Sequence, residues 1–443
     1  MNTSEIQALH QRHVLTPWAV QGGLSAPVIS RAEGRYLYDT DGKKYFDLSS
    51  GLIAVNLGHG HPKVVKAIQE QAATLCYSAP SLFLEKRAEL AAELSKLSPF
   101  PEGARTFFTT GGAESNDDVV RMVRTLTGRN KIMTAYRSFH GASGTSITLT
   151  GEDRRWGGEA NTGSGIVRFF APFSYRSPFY STTPEEECTR ALAHIEHILS
   201  YENPKNIAAL IIEPVVGSNG VVVYPDGYLA GLRKLTEQHG ILLVFDEVMT
   251  GFGRCGSAFA CMRWDVTPDI ITFAKGVTSA YLPLGGVMVR ENVAKYFDDK
   301  PLPNGHTYSG HPMCVAAGLA TLQAYRDEGI FERALELEGW LKDGLAALQK
   351  KHSIIGEVRG VGGFFAIDCV KDQKTKEPVV PWQGAGGLGP MKNFYAELRK
   401  RGIYSFGKYN VAMVAPPLTT TKAELDECLS GFSDALGTFA SSL

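Results

Sequence analysis

The chain has 443 residues, enough for one large hydrophobic core with a smaller one beside it. Its 45 basic and 46 acidic residues leave a formal charge of −1, so no bulk field draws it to nucleic acid or an anionic membrane, and small-molecule chemistry is the better expectation. Seven cysteines without a CxxC pair argue against a disulfide framework or a zinc ribbon. The polar N-terminus and the lack of an apolar run approaching the roughly 18 residues of a membrane span predict a soluble, cytoplasmic protein.

In chain order, GHGHP (58–62) reads as a turn before a helix that starts at Pro62. His59 and His61 invite a metal reading, but no third or fourth ligand follows nearby, and no metal is expected. RTFFTT (105–110) reads as a strand. In the GGAESNDDVVRMVRTLTGR that follows, Val119, Met122, Val123 and Leu126 fall at helical spacing and Gly128 supplies the stop. KIMTAYRSFHG gives a strand and turn, AALIIEPVVGSNG (208–220) a buried strand opening into a loop, and GYLAGLRKLTEQHG a crossover helix ended by Gly240. ILLVFDEV (241–248) and DIITFAK (269–275) continue a run of parallel strands. The alternation predicts an α/β fold with a mainly parallel sheet between helices. A large domain is expected over 66–325, with residues 1–65 joining 326–443 in a smaller one. The latter holds the strand-like GEVRGVGGFFAIDCV (356–370), the loop PWQGAGGLGP (381–390) and a last strand near Val411 to Ala415.

Open α/β sheets place ligands at the carboxyl ends of their strands, where loops diverge. Asp246 and Lys275 both stand at such ends. A lysine in an apolar site has its charged form penalised, so its neutral amine can attack a carbonyl and form a Schiff base. An acid behind ILLVF needs a cation or strong donors, and a protonated pyridine nitrogen is such a partner. Together they suggest pyridoxal phosphate; a structural Lys–Asp ion pair is the alternative. TTGGAESN offers a phosphate cradle, a glycine turn between strand and helix whose free N–H groups, at Gly112 and Ala113, can hold an anion. Glu114, Asp117 and Asp118 suit the helix dipole but compete with phosphate. The turn matches neither GxGxxG nor the Walker A pattern, which argues against dinucleotide or nucleotide binding.

TTGGAESN, FDEVMTGFGR, FAKGVTSAYLPLGG and HTYSGHP together resemble the class III aminotransferases, pyridoxal-phosphate enzymes of fold type I. The likeness runs from GRYLYDTDGKKYFDLSSGLIAVNLGHGHP to VAPPLTTTKAEL. It implies a large domain with a mainly parallel seven-stranded sheet flanked by helices and a smaller α+β domain. It further implies that Lys275 forms the Schiff base and shuttles the proton between Cα and the cofactor's C4′, while Asp246 keeps the pyridine nitrogen protonated. Phe139, where the family usually has tyrosine, would stack on the ring. Val248, two residues after Asp246 and so on the same side of the strand, would press the other face. Gly112, Ala113 and Thr307 would bind the phosphate, Thr307 from a second subunit, so a homodimer (or a tetramer built from it) with sites at the interface is implied. Glu213 matches a carboxylate near the cofactor, and His140 beside Phe139 would hold its turn.

For the substrate, the resemblance puts a mobile arginine a few residues before the PPL motif, but Phe406 stands there. Lys408 and Arg154 are the substitute cations, each either a carboxylate anchor or a solvated surface charge. Trp18 and Ile53 match pocket-lining positions, and an apolar wall favours amines with aromatic or alkyl groups. The N-terminal pattern and YSFGKYN look closest to the taurine:pyruvate-like and (S)-selective amine transaminases. The expected activity is ping-pong transfer of the amino group of a primary amine or ω-amino acid (β-alanine, taurine or 1-phenylethylamine type) to pyruvate. An aminomutase or racemase, a 2-oxoglutarate-using aminotransferase and a catalytically retired binding protein are the alternatives.

Overall fold

Ile207–Ile212 is a run of six apolar residues, too short for a stable helix, and every one of them is buried. Such runs form the central strands of sheets covered on both faces. The computed structural model describes residues 1–22, 24, 26–157, 164–382 and 387–443. There this strand belongs to a seven-stranded sheet in the spatial order Ala104–Thr109, Gly285–Arg290, Ile270–Phe273, Leu242–Asp246, Ile207–Ile212, Lys131–Ala135, Ile166–Phe169. Every pairing is parallel except the two made by Gly285–Arg290, which runs antiparallel to both neighbours.

That antiparallel strand has no counterpart in the reading of the sequence, because it opens on two glycines. Their absence of side chains is a packing requirement: a Cβ on Gly285 would lie 2.7 Å from Thr109 Oγ1, and one on Gly286 2.5 Å from the Phe273 ring.

Alternate strand residues point to opposite faces of the sheet. Val244 and Ile270 face the helix Gly112–Thr127, packing with its Val119, Val120, Met122 and Val123. Leu243, Phe245, Ile271 and Phe273 face the other way, into a larger core that includes Tyr228, Leu229 and Leu232 of the helix Tyr228–His239. Both helices stop where expected, with Gly128 (φ 67°) and Gly240 (φ 60°) in the left-handed conformation that ends helices at little cost. Asp246 has the parity of Val244, so its side chain emerges on the side of the helix Gly112–Thr127.

The chain ends build two further sheets. Ile29–Glu33, Tyr36–Asp39 and Lys44–Asp47 form a meander whose last strand pairs in parallel with Ile403–Tyr404. Residues 356–370, read as a single strand-like stretch, are a hairpin instead. Ile355–Val361 turns at Gly362 (φ 61°) into Phe364–Asp372, and Val411–Val414 pairs with the second of these. Of the loop 381–390, residues 383–386 lie outside the described residues. No described helix is long and apolar enough to cross a membrane.

Candidate active site

Where Leu242–Asp246 and Ile270–Phe273 end, the chain opens a cavity of about 540 Å³ whose walls include Gly112, Ala113, Phe139, His140, Glu213, Asp246, Val248 and Lys275. Eight cofactor-side positions chosen from sequence thus converge on one space.

Parallel register sets Asp246 beside Thr272, and both side chains meet Asn116, one helical turn after Gly112. Asn116 Nδ2 donates to Asp246 Oδ2 (2.8 Å), while its Oδ1 accepts from Thr272 Oγ1 (2.9 Å). His140 Nδ1 donates to the same carboxylate oxygen at 2.7 Å, and the Val248 N–H caps Oδ1 at 3.0 Å. His140 does more than hold its turn. Burial pushes its pKa down, but the Asp246 carboxylate outweighs that and leaves it raised. The imidazolium can then donate from Nε2 to Thr134 Oγ1 (3.2 Å), whose own hydrogen goes to the Leu149 carbonyl. Asp246 is therefore a buried acceptor fixed by three donors.

Lys275 stands at the start of a tight turn with φ 45°, a conformation disfavoured for a non-glycine residue by about 1–2 kcal/mol. Its amine makes no hydrogen bond to any described residue. Part of the residue stays open to the cavity, yet the surrounding protein strips enough water from the amine to lower its pKa to about 8, against the opposing pull of Asp246 and Glu213. Glu213 Oε1 accepts from Phe139 N (3.0 Å) and Oε2 from Gly217 N (2.8 Å). Burial nevertheless raises its pKa to about 7.

At the cradle, Glu114 turns back to cap Thr110, accepting from its N–H (2.9 Å) and Oγ1 (2.7 Å). Asp117 accepts from Ser143 Oγ and Ser146 N, and Asp118 from Asn304 Nδ2. The competition with an anion foreseen for these acids is thus removed: none of the three lines the cavity. Val248 reaches the cavity by a different route from the one expected. The strand ends at Asp246, and Val248 sits in the following turn, against Gly112.

The substrate-side positions divide. Trp18 lines the cavity at its rim, 61% exposed, with its ring edge-on to Phe139 at 6.4 Å. Ile53 does not line it: its side chain packs with Val215, Val361 and Phe364, and Ala54 faces the cavity instead. Phe406 lies against that same apolar cluster, outside the lining. Neither cation is a solvated surface charge. Lys408 is held by Glu152 and by Asp153 Oδ1 (2.6 Å). Arg154 pairs through Nε with Glu152 and through Nη2 with the cavity residue Ser218 (3.1 Å). Its guanidinium carbon lies 3.7 Å from the centroid of the Phe139 ring and 5.1 Å from that of Trp18. Thr307 is exposed and lies outside this chain's own cavity; its carbonyl accepts from Tyr77 OH at 3.1 Å. His59 is bonded to Asp47 (3.0 Å) and His61 to Glu328 (2.8 Å).

Asn116, Thr272 and Thr134 escaped the reading of the sequence. For Asn116 a signal was there: four residues after Gly112 in TTGGAESN, it must share a helix face with the cradle.

The family model for class-III aminotransferases matches residues 19–436. The 5-aminovalerate aminotransferase DavT of Pseudomonas aeruginosa is 33% identical over 436 residues, covering 97% of this chain and 98% of its own. A probable γ-aminobutyrate transaminase 3 of Oryza sativa subsp. indica is 32% identical over 428 residues, 92% of this chain and 82% of its own. Among solved structures, a taurine:2-oxoglutarate aminotransferase from Bifidobacterium kashiwanohense, in complex with PLP and glutamate, superposes with a TM-score of 0.96 at 38% identity, covering 100% of this chain and 99% of that one. An (S)-enantioselective ω-transaminase from Thermomicrobium roseum gives 0.93 at 35%, covering 99% of each.

Pyridoxal 5′-phosphate is the cofactor these findings indicate, and the residues present fit it. The cradle is shaped by an absence, since a Cβ on Gly112 would lie 2.7 Å from Val248 Cγ1. A free amine of lowered pKa and a carboxylate fixed by three donors open on the same cavity.

Proposed function

The chain belongs to the class-III aminotransferases, and from that membership we propose that it transfers the amino group of a primary amine or ω-amino acid, of β-alanine, taurine or 1-phenylethylamine type, to a small 2-oxo acid. The observation that carries this reading is the rim of the cavity. Apolar surface from Trp18, Phe139, Val248 and Met249 surrounds the approach to Lys275, and the guanidinium of Arg154 lies against Phe139.

When bound, the cofactor supplies an aldehyde that takes up amines and a ring that accepts the electron pair left when Cα gives up its proton. The chain's residues do the rest. Asp246, braced by Asn116 and His140, holds a proton on the pyridine nitrogen. Lys275 Nζ, neutral through much of the range above pH 8, would accept the proton lost from the substrate's Cα and deliver it to the bound cofactor. Gly112 and Ala113 N–H groups at the helix start bind phosphate. Phe139, through the loop that Glu213 fixes, and Val248 would hold the ring between them. Thr307 of a second copy would complete the phosphate site in a homodimer. Arg154, and not Lys408, is the carboxylate anchor: Lys408 already serves two acids, whereas Arg154 pairs, among the described residues, with the one acid Glu152 and reaches Ser218 in the cavity wall.

Pyruvate is the acceptor expected from sequence. A second reading, 2-oxoglutarate, draws support from the Bifidobacterium neighbour, whose name carries that acid and whose complex contains glutamate. The test gives loaded enzyme each donor without acceptor. A transaminase releases one carbonyl product per site and halts, whereas a mutase or racemase turns over without halting. Pyruvate and 2-oxoglutarate then compete to restart the halted enzyme. Arg154→Leu should raise KM for the preferred 2-oxo acid about 10- to 100-fold, with the 1-phenylethylamine half-reaction within about 2-fold. An unchanged KM overturns the assignment of Arg154.

A further inference from the structure

The turn that carries Lys275 has three non-glycine residues in left-handed conformation: Lys275 (φ 45°), Ser279 (49°) and Ala280 (61°). Such a backbone persists only where its surroundings over-determine it. One grip comes from the helix Pro312–Asp327. Tyr325, 2% exposed, donates its hydroxyl to the Gly276 carbonyl at 2.6 Å, beside the lysine itself.

The second grip comes from residues 50–61, whose GHGHP motif the catalytic chemistry leaves unexplained. Leu57 N donates to Ser279 Oγ (2.9 Å). Tyr281 OH donates to the Gly58 carbonyl (2.9 Å) and accepts from His61 N (2.5 Å). Asn56 Nδ2 donates to the Phe252 carbonyl (2.9 Å) and stands so close to Gly276 that a Cβ there would lie 2.7 Å away.

Behind both grips sits Arg254, wholly buried, with no carboxylate among its hydrogen-bond partners in the described residues. Nη1 donates to the carbonyls of Gly363 (2.9 Å) and Pro416 (2.8 Å), Nη2 to Asn56 Oδ1 (2.7 Å) and Ser50 Oγ (3.1 Å). Four neutral acceptors from three distant stretches of chain suit a planar fork of donors; a lysine ammonium cannot reach them together.

We propose that Tyr325, backed by Asn56 and Arg254, is a positioning residue for Lys275: it pins the strained turn so that the amine points into the cavity instead of relaxing out of it. The brace acts on any reaction that uses this lysine, whichever donor and acceptor are correct.

The test compares full-length Tyr325→Phe with the parent and with Tyr228→Phe, which removes a buried hydroxyl that has no partner among the described residues. Hydrogen exchange of the peptide spanning 275–281 should quicken about tenfold in Tyr325→Phe, with peptides from Ile207–Ile212 unchanged. The pH dependence of amine labelling at Lys275, measured on the cofactor-free chain, should move upward, and kcat should fall about tenfold with donor KM within about twofold. Arg254→Lys should reproduce the faster exchange and the raised labelling profile. Tyr228→Phe should show neither. If Tyr325→Phe lowers the melting temperature while exchange at 275–281 and the labelling profile stay at parental values, the residue is merely structural and the proposal fails. Exchange and labelling need no substrate, so a wrong donor or acceptor leaves this result intact.

Discussion

Burying the Lys275 amine costs stability, and the sign of that cost is fixed by its pKa of about 8 against the ordinary 10.5. Between those values the unfolded chain binds more protons than the folded one, so the stability of the cofactor-free protein rises with pH from about 8 to about 10.5, and the penalty is fully present at pH 7. Lys275→Met should therefore stabilise the cofactor-free chain at pH 7 by about 1–2 kcal/mol, discounted for an amine that faces an open cavity, and the gain should fade above about pH 10.5. Urea unfolding of both chains across that range measures it. A gain that does not change with pH would mean that packing, and not charge, separates the two. Single residues were also where the sequence said most: Lys275 and Asp246 declared themselves as charges at the ends of apolar runs. Arg254 and Tyr325 did not, because their partners lie dozens to hundreds of residues away and nothing local marks a buried hydroxyl that grips a distant carbonyl.

At the scale of elements, the helix Gly112–Thr127 joins cradle to carboxylate. Its first turn supplies free N–H groups and its second supplies Asn116 to Asp246. Gly112→Ala brings a methyl to within 2.7 Å of Val248 Cγ1, so either Val248 or the cradle must shift. The expected result is cofactor affinity weakened about tenfold or more, read by equilibrium dialysis, with the melting temperature of the cofactor-free chain little changed. The helix itself was legible from its period and its Gly128 stop, and so were the central strands, whose β-branched runs cannot be mistaken for turns. What hid was Gly285–Arg290, where glycine is present because neighbours crowd it, a reason visible only once the sheet is assembled. Val248 lines the cavity although the strand whose alternation was to carry it there ends at Asp246. Ile53 missed its place because the positive φ at that position (57°) turns its side chain into the apolar cluster.

Across the whole molecule, the seven-stranded sheet and the hairpin Ile355–Val361/Phe364–Asp372 are joined by charge as well as by apolar contact. Asp368, fully buried, accepts from Arg176 at 2.9 and 2.8 Å, from Asn410 at 2.7 Å and from Arg359 at 3.3 Å. Arg137 lies in the same cluster, between Phe173 and Trp382. Burial first, then the neighbouring Arg359, lowers its pKa to about 9, so the group as a whole depends on that carboxylate. Asp368→Ala should cost about 3–5 kcal/mol in urea unfolding, with little sensitivity to added salt, because it strands buried guanidinium groups. A loss below about 1 kcal/mol would show that Glu357 compensates.

Phe46 pairs with Ile403, so a strand near the beginning of the chain finds its neighbour only after some 357 further residues have been made. The stretch that follows that early strand contributes Asn56 to the grip on the turn that carries Lys275, and Arg254 ties Asn56 to Gly363 and Pro416. At about 5–20 residues per second, a ribosome needs tens of seconds to supply those last partners. All seven strands of the large sheet are available once Arg290 has been made, but Arg254 lacks its last acceptor until Pro416 follows.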